Sequence, residues 1–198
     1  MKIMKKLLTI LCLVLLVSCS LTLPPEVLYG APSHRLINNG GMTFEIGSND
    51  PFTGITIEYR ENSQIKEKIT YKNGKKDGLS EWYFQDGQLE VRGNYKDGKQ
   101  EGLQEWYWGN GRLDSRGNFK DGKLEGLWEE FHENGKLFRR GNYKDGKEEG
   151  LWESFYENGQ LEWRDNYKDG KLDGLWEVFD QDGNLTRTKE YKDGVLQE

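Results

Sequence analysis

The sequence is poor in the residues that build disulfide frameworks, metal centres and aliphatic cores. Its two cysteines, Cys12 and Cys19, both lie near the N-terminus, so the remainder of the chain has no disulfide to make. Its two histidines, His34 and His132, stand far apart with no neighbouring partner for metal or triad chemistry. Prolines number four in 198 residues, and three of them cluster between residues 24 and 32, which reads as a tether. Hydrophobic residues make up 34% of the chain against 31% charged, a balance that argues against a single thick core.

Glycine and aromatic rings are plentiful instead. The 25 glycines, 7 tryptophans, 10 tyrosines and 8 phenylalanines are spread evenly, so burial is expected from large rings on a thin, extended sheet.

The first eighteen residues differ from the rest. Lys2, Lys5 and Lys6 precede Leu7 to Val17, a stretch that is apolar except at Thr9; this reads as an export signal, too short to span a membrane comfortably. Leu16-Val17-Ser18-Cys19 resembles the lipobox of bacterial lipoproteins, where the cysteine is acylated and becomes the new N-terminus. On that reading residues 1–18 are removed and Cys19 carries lipid. Ser20 is not the aspartate that holds such lipoproteins in an inner membrane, so an outer-membrane address is expected in a cell with two membranes. Loss of the three signal lysines takes the formal net charge from −6 to −9, which repels nucleic acid and anionic headgroups and leaves the anchor as the membrane contact.

A fixed period organises the remainder. Tyr71, Tyr95, Phe119, Tyr143, Tyr167 and Tyr191 stand 24 apart, each followed by Lys-Asp-Gly or Lys-Asn-Gly. Gly78, Gly102, Gly126, Gly150 and Gly174 keep the same spacing, each followed by leucine, and a second turn recurs at Asp86-Gly87, Asn110-Gly111, Asn134-Gly135, Asn158-Gly159 and Asp182-Gly183. Such a period signals a repeat architecture. Six units run from about Gly47 to Glu190, a partial unit follows to Glu198, Asn38 to Ile46 reads as a degraded half-unit, and Leu21 to Leu36 as the tether.

Each unit holds two apolar-aromatic runs bounded by Asx-Gly, which predicts two antiparallel strands joined by a type I′ turn. A two-residue turn at Asn134-Gly135 would pair Phe131 with Phe138, Glu130 with Arg139, Glu129 with Arg140 and Trp128 with Gly141. The same geometry pairs Glu81 with Arg92, Glu105 with Arg116 and Glu153 with Arg164, with Glu177-Thr188 as the exception. On the other face it sets Trp82 beside Val91 and Phe84 beside Leu89, with Trp128 covering Gly141. Leu79, Glu81 and Tyr83 share the mixed face. The Lys96-Asp97-Gly98-Lys99 turn is open between a two-residue hairpin and a wider loop closing at Gly102. The expected fold is an all-β, elongated antiparallel meander of about twelve strands, about 55 to 60 Å long, with Arg187 and Lys189 guarding its last edge.

The unit Tyr-Lys-Asp-Gly-Lys-x-x-Gly-Leu-Trp-Glu-x-Phe, continued by Glu-Asn-Gly-x-Leu-x-x-Arg-Gly-Asn, resembles a MORN repeat of the bacterial variant type, and the array over residues 47–198 resembles YwqK-type antitoxins. The resemblance implies a repeat sheet and an antitoxin or immunity-like role; export restricts that role to a toxin acting in the envelope.

No unit has the alternating oxygen donors and distal glutamate of a calcium loop, so turn chemistry accounts for the repeated Lys-Asp-Gly-Lys. The carboxylates recur in every unit, whereas an active site is a local exception, so neither enzymatic activity nor a metal or other cofactor is expected. Trp82, Tyr83, Trp106, Tyr107, Trp108, Phe155 and Tyr156 form a candidate binding strip, set against packing within the sheet as the alternative. The functional expectation is a lipid-anchored envelope module that binds a protein or glycan, the alternative being neutralisation of an envelope-acting toxin.

Overall fold

In a computed structural model the described residues are 31–198; the signal segment and Cys19 lie outside them. They form β1 (Ala31–Pro32), a 3-10 turn, β2 (Leu36–Asn39), β3 (Met42–Glu45), β4 (Gly54–Tyr59), β5 (Ile65–Lys72), β6 (Lys75–Tyr83), β7 (Leu89–Lys96) and β8 (Lys99–Tyr107). Then come β9 (Leu113–Lys120), β10 (Lys123–Phe131), β11 (Leu137–Lys144), β12 (Lys147–Phe155), β13 (Leu161–Lys168), β14 (Lys171–Leu172), β15 (Gly174–Phe179), β16 (Leu185–Lys192) and β17 (Val195–Leu196). From β4 onward the strands pair in sequence order as one antiparallel meander, except that the two-residue β14 pairs only with β13, which also pairs with β15. Its twelve long strands, β4 to β13 with β15 and β16, are the two per unit that the periodicity predicts.

The two kinds of turn differ in an unexpected way. At Lys96-Asp97-Gly98-Lys99, Asp97 has φ 50° and Gly98 φ 87°, and Lys96 faces Lys99, so this is the two-residue hairpin with both central residues left-handed. Aspartate tolerates that conformation. At Asn134-Gly135 only the glycine has positive φ; Gly135 N–H donates to His132 C=O at 2.8 Å and His132 N–H to Lys136 C=O at 2.8 Å. That is a three-residue loop built on a type I turn, not a type I′ turn. Phe131 therefore faces Leu137, and Tyr83 faces Leu89, so the expected Phe131–Phe138 and Phe84–Leu89 pairs do not form. A β-bulge then absorbs Phe138, or Glu90 in the second repeat, and returns the strands to the predicted register: Glu130 opposite Arg139, Glu129 opposite Arg140, Trp128 opposite Gly141.

A second irregularity bends the sheet. Between β7 and β8, Gly93 faces Gln104 but Tyr95 faces Gln100, and Gly102, with φ 75°, lies in the bulged segment. Such a bulge bends its strand. The rings of Tyr95, Phe119, Tyr143 and Tyr167, beyond the bend, reach those of Trp82, Trp106, Trp128 and Trp152 with centroids 6.2 to 6.3 Å apart. The bent sheet thus supplies its own core. Trp152 is fully buried, and Gly93, Gly117 and Gly141 are buried beside the large side chains.

The expected half-unit and the end of the expected tether are partly built into the array. β2 and β3 form a separate hairpin, and Thr43 N–H donates to Gly74 C=O at 2.8 Å while Gly74 N–H donates to Phe52 C=O at 2.7 Å. This capping segment helps bury Phe52, Thr43 and Gly74 at the first repeat. β1 adds in parallel to β4. At the other end, β17 pairs with Tyr191 and Lys192 of β16 and Gln197 N–H donates to Glu190 C=O at 2.8 Å, so the outer edge of β16 is covered at that end alone.

Candidate functional site

Because side chains alternate along a strand, the register sorts the residues onto an inner and an outer face. The outer face carries one continuous row of alternating charge: Lys68, Glu81, Arg92, Glu105, Arg116, Glu129, Arg140, Glu153, Arg164 and Glu177, each opposite the next. The Glu–Arg pairs expected within each Asx-Gly hairpin are present as register partners. The guanidiniums of Arg92, Arg116 and Arg140 instead bond forward, to Glu105, Glu129 and Glu153, at 2.7, 2.7 and 2.8 Å. Beside this row stand Leu79, Leu103, Leu127, Leu151 and Leu175, each 41 to 47% exposed.

On the inner face the rings follow the same rule. Trp128 has Gly141 as a register partner, as expected, but its ring lies against Gly117, where a Cβ would come within 2.4 Å of it. Trp152 lies likewise over Gly141. The tryptophan shifts two residues along the strand between repeats, from Trp82 and Trp106 to Trp128, Trp152 and Trp176, while staying on one face.

The seven residues of the candidate strip do not form one strip. Trp82 and Trp106 are half-buried on the inner face; Trp82 donates its indole N–H to Glu67 at 3.0 Å, and Lys76 lies 5.0 Å from its ring. Tyr83, Tyr107 and Phe155 belong to the outer face. Tyr83 donates to Glu81 at 3.0 Å, and burial followed by that carboxylate pushes its phenol up to about 12. Burial and Glu105 also raise Tyr107. Phe155 lies under the Arg140 guanidinium, 5.6 Å away.

Trp108 and Tyr156 hold successive loops together: Trp108 Nε1 donates to Phe131 C=O at 3.2 Å and the Tyr156 hydroxyl to Phe179 C=O at 2.8 Å. His132 and Arg60, at the same place in their repeats, contact the carbonyls of Phe155 and Tyr83. Four of the six side chains in this column thus meet the equivalent carbonyl of the next repeat, whereas Phe84 has no donor and Asp180 accepts from Asp182 and Asn184 within its own loop.

One exception to the repeat was overlooked at the level of sequence. The column of Gly93, Gly117 and Gly141 continues with Asp165, which is 4% exposed. Burial pushes its carboxyl up to about 6, against the opposing pull of Arg139, and burial with Asp165 beside it pushes Tyr167 up to about 12. Arg139 bonds Glu148 at 2.9 Å and lies over Trp152 and Trp163, 4.2 and 5.2 Å from their centroids. Arg139 Nε, Trp152 Nε1 and one Asp165 oxygen have no partner among the described residues. The glycine column broken at Asp165 was the available signal. A cleft that gathers Phe84, Trp106 and Trp108 with Glu90 and Asp114 was not visible in the sequence, because the bulge places both carboxylates.

Among solved structures, the chain is similar to a mutant of S. aureus TarM in complex with fondaparinux, alpha-GlcNAc-glycerol and UDP, at 14% identity and TM-score 0.33, over 48% of this chain and 19% of that one. It is similar to the GtfA/B complex bound to UDP and GlcNAc at 11% identity and TM-score 0.25, over 57% of this chain and 22% of that one. The chain thus spans about a fifth of either protein, and similarities this weak carry no argument. No curated protein matches. The MORN repeat variant family matches at residues 52–73, 76–97, 100–121, 124–145, 148–169 and 172–193, in step with the strand pairs, and the chain belongs to that family.

Proposed function

We propose that the protein is a non-enzymatic interaction module, held at the cell envelope by lipid on Cys19, that engages a protein or glycan along its outer face. The observation that carries this reading is the exposed leucine row of that face, Leu79 to Leu175, running beside an alternating row of Glu and Arg. Two strands per repeat give these rows a pitch of about 10 Å, suited to a long partner surface with apolar anchors and a charged margin that fixes its register. The anchor is supported by residues 2–19 of the sequence, and the antitoxin-like role implied by resemblance applies only to a toxin acting in the envelope.

The test is co-purification from detergent extracts of the source cells, comparing the parent with Leu103→Asp/Leu127→Asp. Both leucines face solvent, so the sheet is expected to persist while bound partners fall by about tenfold or more. An unchanged set of partners at unchanged yield would remove the outer face from consideration. In a parallel arm, Cys19→Ala should leave the membrane fraction; parent-like partition there means the lipid reading is wrong.

A further inference from the structure

A cleft of about 330 Å3 opens at the loop edge of the second and third repeats. Phe84, Trp106 and Trp108 line it, together with Val91 and the carboxylates of Glu90 and Asp114. Its wall is fixed in advance, because the Trp108 indole is tied to Phe131 C=O at 3.2 Å. Neither Glu90 nor Asp114 forms an ion pair among the described residues. Burial and the nearby Glu130 charge both raise the Asp114 carboxyl, so a positive charge placed there would be favoured.

The array shows elsewhere what such surroundings accept. Two repeats along, the column of Val91 is occupied by Arg139, whose guanidinium lies over Trp152 and Trp163 and bonds Glu148. Lys76 sits 5.0 Å from Trp82 and 5.3 Å from Tyr95 in the same manner. At the cleft the rings and carboxylates are present, but the column supplies valine. One repeat beyond Asp114, the bulge position holds Phe138, whose ring is tilted against His132 with centroids 5.0 Å apart. The combination of three rings and two carboxylates therefore breaks the repeat at this place.

We propose that this cleft binds an organic cation, an alkylammonium or guanidinium group, set against the faces of Phe84, Trp106 and Trp108 and neutralised by Glu90 and Asp114. The cation comes either as a free small alkylammonium ion or as a lysine or arginine side chain of a partner. The site is on a different part of the sheet from the leucine row and does not depend on the outer-face reading.

The experiment titrates the full chain, in a non-ionic detergent, with choline, Nα-acetyl-lysine amide and Nα-acetyl-arginine amide, following the tryptophan indole signals by NMR. Saturable binding is expected, about tenfold or more tighter than for the uncharged tert-butyl isostere of choline. Glu90→Gln/Asp114→Asn should weaken it by about tenfold or more, while Glu162→Gln, the counterpart of Glu90 three repeats along, and Leu103→Asp/Leu127→Asp should bind like the parent. Preference for choline identifies a free small alkylammonium ion, and preference for either amino-acid amide identifies a basic segment of a partner. Absence of saturable binding by all three cations, equal binding of the isostere, or undiminished binding by the double variant overturns the proposal.

Discussion

At the scale of single residues, Asp165 is a carboxyl buried on the inner face of the array. It stands where three earlier repeats have glycine, against Trp152, and its carboxyl is pushed up to about 6 chiefly by burial. A carboxyl whose folded value exceeds its unfolded value of about 3.9 favours the fold while both states are protonated, and that favour is lost as pH rises through about 6. Asp165→Asn keeps the shape and removes the charge. Relative to the parent it should gain on the order of 1 to 2 kcal/mol near pH 7.5, after allowing for solvent screening, and almost nothing near pH 3, below both values. Thermal melts at the two pH values check this; an equal gain at both would mean that the charge is not what destabilises the native protein. The identity of the exception was legible in the sequence, because a glycine column broken by aspartate needs no coordinates to be seen. That Arg139 and Glu148 stand beside it was not, since the inward reach of those side chains depends on the bend at the glycine bulges.

At the scale of strands and turns, the outer charge row separates what register determines from what it leaves open. A strand in a meander has two neighbours, so Arg116 has both Glu105 and Glu129 as register partners. The guanidinium takes Glu129, at 2.7 Å. A double-mutant cycle on Arg116 and Glu129 should give a coupling of about 0.5 kcal/mol, and one on Arg116 and Glu105 a value near zero. Urea denaturation of the alanine variants supplies the measurement, and a larger coupling to Glu105 would contradict the forward pairing. The turns carry a related lesson. Asx-Gly signals a hairpin in both places, but Lys-Asp-Gly-Lys makes the two-residue turn while Asn134-Gly135 closes a longer loop whose extra residue is taken up by a bulge. The two departures cancel, which is why the predicted strand register stands although the turn and its nearest pair, Phe131 with Phe138, do not.

At the scale of the whole molecule, each repeat contacts chiefly its neighbours, and the core is a line of rings along one bent sheet. Removal of one complete repeat, residues 124–147, rejoins equivalent positions and should leave a folded array shorter by about 10 Å. Removing only residues 124–135 takes out one strand, reverses the direction of all that follow and should abolish cooperative unfolding. Small-angle scattering and thermal melts distinguish the two; a folded half-repeat deletion would show that the two strands of a repeat are interchangeable, contrary to their different turns.

The sequence by itself determined the period, the strand count, the sorting of residues onto two faces and the register of their middles, because turn chemistry and the alternation of side chains act over a few residues. Only the tertiary structure decided which neighbour each arginine and tryptophan takes, where the sheet bends, and how the candidate aromatics divide between inner face, outer face and loop edge. Those outcomes depend on bulges and on contacts between strands on both sides, and the cleft that gathers Trp106, Trp108, Glu90 and Asp114 exists only once both are in place.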